Sequence, residues 1–169
     1  MSSLLPSIGS MGIWGYWVIG LMTFFEALVL TSVFSPGTVV VVLGGALAAR
    51  GIFDIGDMIW FVGIGTICGS QASFWIGTKG ETLFGEGRAV LSVANLARGR
   101  RFFAKYGAAS IVIGHFLGPL RPIVPVVAGL SDMGLRQFTR WNVIGGTAYA
   151  ITMVSVGYFF GTAIGLFGG

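Results

Sequence analysis

Glu26, His115 and Arg121 are ionisable side chains set in stretches that are otherwise apolar. Glu26 lies within Trp17 to Leu30 and is the one acid inside the segments 11–34, 58–77 and 142–168. A lone carboxylate at the centre of a membrane helix costs about 2.5–3.5 kcal/mol even on lenient insertion scales, so it must be protonated, hydrated or paired. Arg121 is the natural partner, either as structural glue or as part of a site. In a site, Glu26 would exchange protons while the planar guanidinium of Arg121 holds an anion, for which phosphate is well shaped. His115 stands six residues before Arg121, across Gly118 and Pro119. It is either a packing residue or a group that changes charge as protons pass.

Other chemistries are disfavoured by what the chain contains. With a single histidine, it cannot build a two-histidine metal or catalytic arrangement, and no cofactor or metal is expected. With a single cysteine, Cys68, it has no internal disulfide, and that thiol is expected to pack a helix. No nucleophile and base cluster is recognisable, so a lipid phosphatase, or any enzyme, is not the expected class.

The elements that would position these residues follow from composition. Of 169 residues, 54% are hydrophobic and 9% charged, with a mean hydropathy of +0.88. Soluble domains carry roughly a quarter charged residues, so this is expected to be an all-α, polytopic membrane protein. Residues 11–34, 58–77 and 142–168 are each long enough to cross a bilayer, which takes about 20 helical residues, and give three full spans. No Lys or Arg precedes Arg50, so the first segment lacks the basic start of a cleaved signal peptide. The stretch 36–49 is apolar but short. Residues 107–130 are long but are broken by Gly118, Pro119, Pro122 and Pro125. Both are expected to be re-entrant helix-loop-helix elements, with tips at Pro36, Gly37, Gly118 and Pro119. Half 1 (about 11–77) and half 2 (about 107–168) then form an inverted repeat within one domain, the pattern of a transporter whose site lies between its halves.

Charge gives an orientation. Residues 78–106 hold six of the ten basic residues, and Arg136 and Arg140 precede the last span, whereas 50–57 holds only Arg50. The positive-inside rule places 78–106 in the cytoplasm; with three spans, the N-terminus is cytoplasmic too. Within that loop, residues 88–105 alternate arginines with Val, Leu and Phe, which suits an interfacial amphipathic helix on anionic lipid. Nucleic-acid binding is the rival reading of these charges, and the spans and the absence of a binding motif argue against it. The spacings Gly65–Gly69, Gly157–Gly161 and Gly161–Gly165 signal close helix packing and would suit a homodimer. Ser70 and Gln71 would either bond a neighbouring helix or line a polar path.

The stretch from Tyr106-Gly107 through Ile113-Gly114-His115-Phe116-Leu117-Gly118-Pro119-Leu120-Arg121-Pro122, then Pro125 to Ser131 and Asn142 to Gly145, resembles the DedA family and its VTT domain. The likeness extends to Glu26, to Ser35-Pro36-Gly37 with Gly44 to Gly51, and to Phe74 to Gly77, about residues 20–160 in all. It implies opposed re-entrant elements and lipid movement across the bacterial inner membrane, with undecaprenyl phosphate or a phospholipid as substrate and often dependence on the proton-motive force. The chain departs from the family pattern at Thr38, where an acid is common, at His115, where Arg is common, and at Ser70, where Asp is frequent. Many members also carry a further C-terminal hydrophobic segment.

Together these readings give a flippase for an anionic lipid. Arg121 binds phosphate, His115 assists, Glu26 balances Arg121 and carries protons, and Thr38 shapes the opposing tip. The rivals are a proton-coupled exporter of a small solute or ion, and a non-transporting assembly factor.

Overall fold

The computed structural model describes residues 5–28, 37–79, 93–131 and 133–167. Among them there are helices and turns and no strand. Helix α1 is Leu5–Ala27, α2 is Gly37–Ala48 and α3 is Ile55–Thr78. The start of α3 is fixed by Asp54, whose side chain accepts from the backbone N–H of Gly56 at 2.7 Å and of Asp57 at 3.0 Å, satisfying donors that a first turn leaves open. Helix α4 (Val93–Tyr106) carries the basic run; Phe102 and Phe103 turn toward the core while Arg98, Arg100, Arg101 and Lys105 are exposed.

The proline-rich segment is interrupted, as its residues require. Helix α5 (Ala109–Gly114) ends before a 3-10 turn at Gly118–Leu120, and α6 (Ile123–Leu130) follows. Gly118 takes a φ of +32°, close to the left-handed region that glycine enters without strain. Pro122 caps α6 and Pro125 sits in its first turn, where a missing N–H costs nothing. Helix α7 (Leu135–Phe167) completes the chain. Among the described residues, two helices are long and apolar enough to cross a membrane, Ile55–Thr78 and Leu135–Ile164.

Contacts give the directions. Tyr16 stacks on Phe61 and accepts from the Asp54 N–H at 2.6 Å, Gly65 lies against the Gly20 carbonyl, Gly69 against Phe24, and Ser73 donates to the Ala27 carbonyl at 2.9 Å. Helices α1 and α3 are therefore parallel. Likewise α5 runs parallel to α7, with Val112 against Gly145 and His115 and Phe116 beside Tyr149. Helices α3 and α7 are antiparallel: Gly63 faces Ala150, Thr66 and Ile67 face Gly146, Gln71 bonds Thr139, and Phe74 stacks on Phe138 at 4.1 Å. The short helices cross over. Gly45, Gly157 and Gly161 seat α2 against α7, and Gly77 and Gly129 seat α6 against α3. At these glycines a Cβ would collide with a backbone, so the absence of a side chain sets the approach.

Three expectations are corrected. There are two apolar spans among the described residues, not three. Helix α1 stops where Ala27 meets Ser73, while α3 continues to Thr78, and the chain returns along α2, whose Gly44 meets Ile19. The apolar segment 11–34 is thus one arm of a hairpin as far as it is described, its 29–34 end lying outside the described residues. The N-terminus was expected on the face of residues 78–106, but parallel pairing sets the start of α1 at the Asp54 end of α3, opposite Thr78. Hydropathy reports length and polarity and has no direction, which is why neither point was legible. Cys68, expected to pack a helix, is exposed on the rim of the α1–α3 contact beside Trp17 and Ile64. Gly65, Gly69, Gly157 and Gly161 pack against helices of the same chain. Of the basic helix expected over 88–105, residues 88–92 lie outside the described residues.

Candidate functional site

The hairpin of α1 and α2 and the break between α5 and α6 bring their polar residues to one place between α3 and α7. Arg121, 3% exposed, follows the 3-10 turn that Gly118 and Pro119 begin. Its Nη1 donates to Glu26 Oε2 at 3.0 Å, and its Nη2 donates to Thr66 Oγ1 at 3.0 Å. The guanidinium lies over the Tyr149 ring, Cζ to centroid 3.9 Å, where the negative face of the ring adds to its stabilisation.

Glu26 accepts a second bond, from Thr38 Oγ1 at 2.6 Å, and Thr38 in turn stands 3.0 Å from the Tyr149 hydroxyl. Threonine has one hydroxyl proton. Since that proton goes to the carboxylate, Tyr149 is the donor in the second bond, giving the order Tyr149 to Thr38 to Glu26. Gly37 opens α2 directly against Glu26; a Cβ there would strike the carboxylate. The pair is thus held from four sides, which is what an ion pair out of water needs if attraction is to offset desolvation.

Glu26, Thr38 and Arg121 are brought together. His115 is adjacent without joining the bonds. Its ring centroid is 6.4 Å from that of Tyr149, its edge lies against Gly145, and it stands beside Asn142 without a hydrogen bond of good geometry. Gly37 touches the pair, Gly118 and Pro119 form the turn leading to Arg121, and Pro36 lies outside the described residues. Two participants were missed from the sequence, Thr66 and Tyr149. Hydroxyls are common in membrane helices and give little signal alone; the polar tip of Tyr149 inside an apolar 30-residue stretch was the available sign.

Chemically, the site is a cation already holding an anion. A guanidinium bonded through Nη1 and Nη2 can exchange a carboxylate for a phosphate without changing its own position. The carboxylate can leave that bond on taking up a proton.

A VTT domain model matches residues 35–159. Among similar proteins, Protein DedA of Escherichia coli (strain K12) is 30% identical over 163 residues, covering 94% of this chain and 74% of DedA. Inner membrane protein YabI of the same strain is 32% identical over 132 residues, covering 74% of this chain and 50% of YabI. Inner membrane protein YqjA is 26% identical over 150 residues, covering 86% of this chain and 67% of YqjA. No solved structure matches the chain. The matched span 35–159 takes in Thr38, Thr66, His115, Arg121 and Tyr149, and the alignment with DedA reaches across 94% of this chain; with its two apolar spans, the chain is a membrane protein of the DedA family.

Proposed function

We propose that this protein is a carrier, not an enzyme, that moves an anionic lipid, an undecaprenyl phosphate or a phospholipid, between the leaflets of a bacterial inner membrane. The observation that carries the reading is the pair of a buried Arg121 and a largely covered Glu26 at the meeting point of two broken elements. Phosphate displaces the carboxylate from Arg121, and a proton taken up by Glu26 removes the charge left behind. His115 lies beside the guanidinium to assist. Thr38 and Tyr149 hold Glu26 in place when the site is empty. The lipid tail stays in the bilayer while the headgroup passes between the two elements.

The crosswise packing supports a single domain built as an inverted repeat. Parallel α1 and α3 correspond to parallel α5 and α7, and each short helix, α2 or α6, rests on the long helix of the other half. Read in a membrane, α1–α2 and α5–α6 enter from opposite faces as re-entrant elements, consistent with alternating access around a fixed site. Residues 78–106, Arg136 and Arg140 face the cytoplasm by their charge, α4 lies on the headgroups, and the start of α1 and Arg50 lie on the other face.

The test is translocation of labelled undecaprenyl phosphate or phospholipid in proteoliposomes, with wild type and Arg121→Ala, with and without a pH gradient. Movement by wild type that is lost in the variant supports the reading, and gradient dependence supports proton coupling. A well-folded wild type that moves no lipid overturns it, in favour of a proton-coupled solute exporter or an assembly factor.

A further inference from the structure

Six buried side-chain atoms have no hydrogen-bond partner among the described residues: Ser70 Oγ, Gln71 Nε2, both ring nitrogens of His115, Arg121 Nε and Asn142 Oδ1. Buried polar atoms are paired in the great majority of cases, so such a set calls for a cause. These atoms belong to one seam. Ser70 follows Thr66, which holds Arg121, by one turn on the same face of α3. Asn142 of α7 is tied to α3 by donating to the Ile67 carbonyl at 3.0 Å, and Thr139, one turn earlier, donates to Gln71 Oε1 at 3.2 Å. His115 fills the place where Gly145 lacks a side chain, between Asn142 and Tyr149. Thr139 also lines a groove of about 650 Å³ on the outer side of α7, with Arg136 and Arg140 on its walls. The seam therefore leads from the Arg121–Glu26 pair toward the beginning of α7, where Arg136 and Arg140 are exposed and lay their aliphatic stems along an otherwise apolar groove.

The chemistry of the unpartnered atoms selects the occupant. Gln71 Nε2 and Arg121 Nε donate, Asn142 Oδ1 accepts, and Ser70 and a neutral His115 can do both. An anion would not match Asn142 Oδ1, and a cation would meet Arg121 at one end and Arg136 and Arg140 at the other. Water satisfies donors and acceptors alternately, and the seam offers both kinds of unpartnered atom.

We propose that the seam holds a file of ordered water and is the route by which protons pass between the Arg136–Arg140 groove and Glu26. Glu26 is faced by Arg121 from the turn before α6, by Thr38 of α2 and by Tyr149 of α7; His115 is the titratable group along the way. The water beside Glu26 gives a proton to the carboxylate and regains one from the next water in the file, so the missing proton passes outward as hydroxide to the groove, where Arg136 and Arg140 favour its charge and bulk water restores it, and Arg121 is freed for phosphate. The proton route rests on the reading of Glu26 as a proton carrier, whereas hydration of the seam does not.

The experiment is hydroxyl-radical footprinting of the full chain in lipid nanodiscs. Ordered water beside His115 and Tyr149 should make them oxidise several-fold faster than Met58, Phe74 and Phe138, which are equally buried in apolar clusters. Ser70→Val or Asn142→Leu should abolish the difference. His115 and Tyr149 as protected in wild type as the apolar controls would overturn the proposal, whatever the transport assay gives. The proton route is read by pH-jump infrared spectroscopy of the protonated carboxyl band, assigned with Glu26→Gln. Several-fold slower appearance of that band in Asn142→Leu supports the route. An unchanged rate, or no band in wild type, overturns it and leaves the footprinting result standing.

Discussion

At Arg121 the guanidinium does three things at once, pairing with Glu26, bonding Thr66 and lying on Tyr149, so single substitutions there separate charge from geometry. Arg121→Ala leaves the largely covered Glu26 carboxylate without its cation, a loss below the roughly 3–5 kcal/mol of a fully buried pair because Glu26 keeps some exposure; the thermal midpoint in detergent should fall and lipid movement should cease. Glu26→Gln keeps the shape and a bond acceptor for Arg121, so the protein should remain folded; substrate movement should lose its response to a pH gradient, and an unaltered gradient response in proteoliposomes would remove Glu26 from coupling. Tyr149→Phe deletes one hydrogen bond and retains the ring, so about 0.5–1.5 kcal/mol of stability should be lost, measured by thermal unfolding. The ionic members of this site were legible in the sequence because a charge in an apolar stretch demands a partner. Thr66 and Tyr149 were not, because a hydroxyl can be satisfied in many ways and only the fold shows which one is used.

Among the elements, the glycines of α3 and α7 carry the packing. A Cβ at Gly65 would fall on the Gly20 carbonyl, and one at Gly157 on the Val42 carbonyl. Backbone cannot yield as a flexible side chain does, so Gly65→Val and Gly157→Val should each cost about 1–3 kcal/mol or more and lower the yield of folded protein on size-exclusion chromatography. The break at 115–122 was readable because glycine and proline act locally. The course of α1 was not, since a hydrophobic stretch long enough to span looks the same as an arm that turns back. Parallel α1 and α3 make a direct forecast. In a Cys68→Ser background, Gly12→Cys and Asp57→Cys should react with an impermeant thiol reagent from one face, and Arg98→Cys from the other. Labelling of Gly12→Cys and Arg98→Cys from the same face would restore the three-span layout.

Over the whole molecule, the apolar residues that exceed the needs of the core point outward. Trp14 is 70% exposed and Phe159 69%, with Trp17, Trp60 and Phe160 also on the surface. Such a belt is stable only against lipid, as the composition alone indicated. Brominated lipids should therefore quench most of the tryptophan fluorescence. Composition could not show how the halves share a core, because that depends on contacts between residues far apart in the chain. Each short helix touches its own half and also rests on the long helix of the other: α2 on α7 and α6 on α3.

The Arg121–Glu26 pair joins residues 95 positions apart. A ribosome adding about 5–20 residues per second reaches Arg121 roughly 5–20 s after Glu26. Throughout that interval the carboxylate is in or near the bilayer with its cation not yet made. The first half must therefore be shielded during synthesis, by the insertion machinery or by protonation of Glu26. A nascent chain interrupted before Arg121 would expose an unpaired acid in lipid, a mark by which membrane quality control can distinguish it from the finished protein.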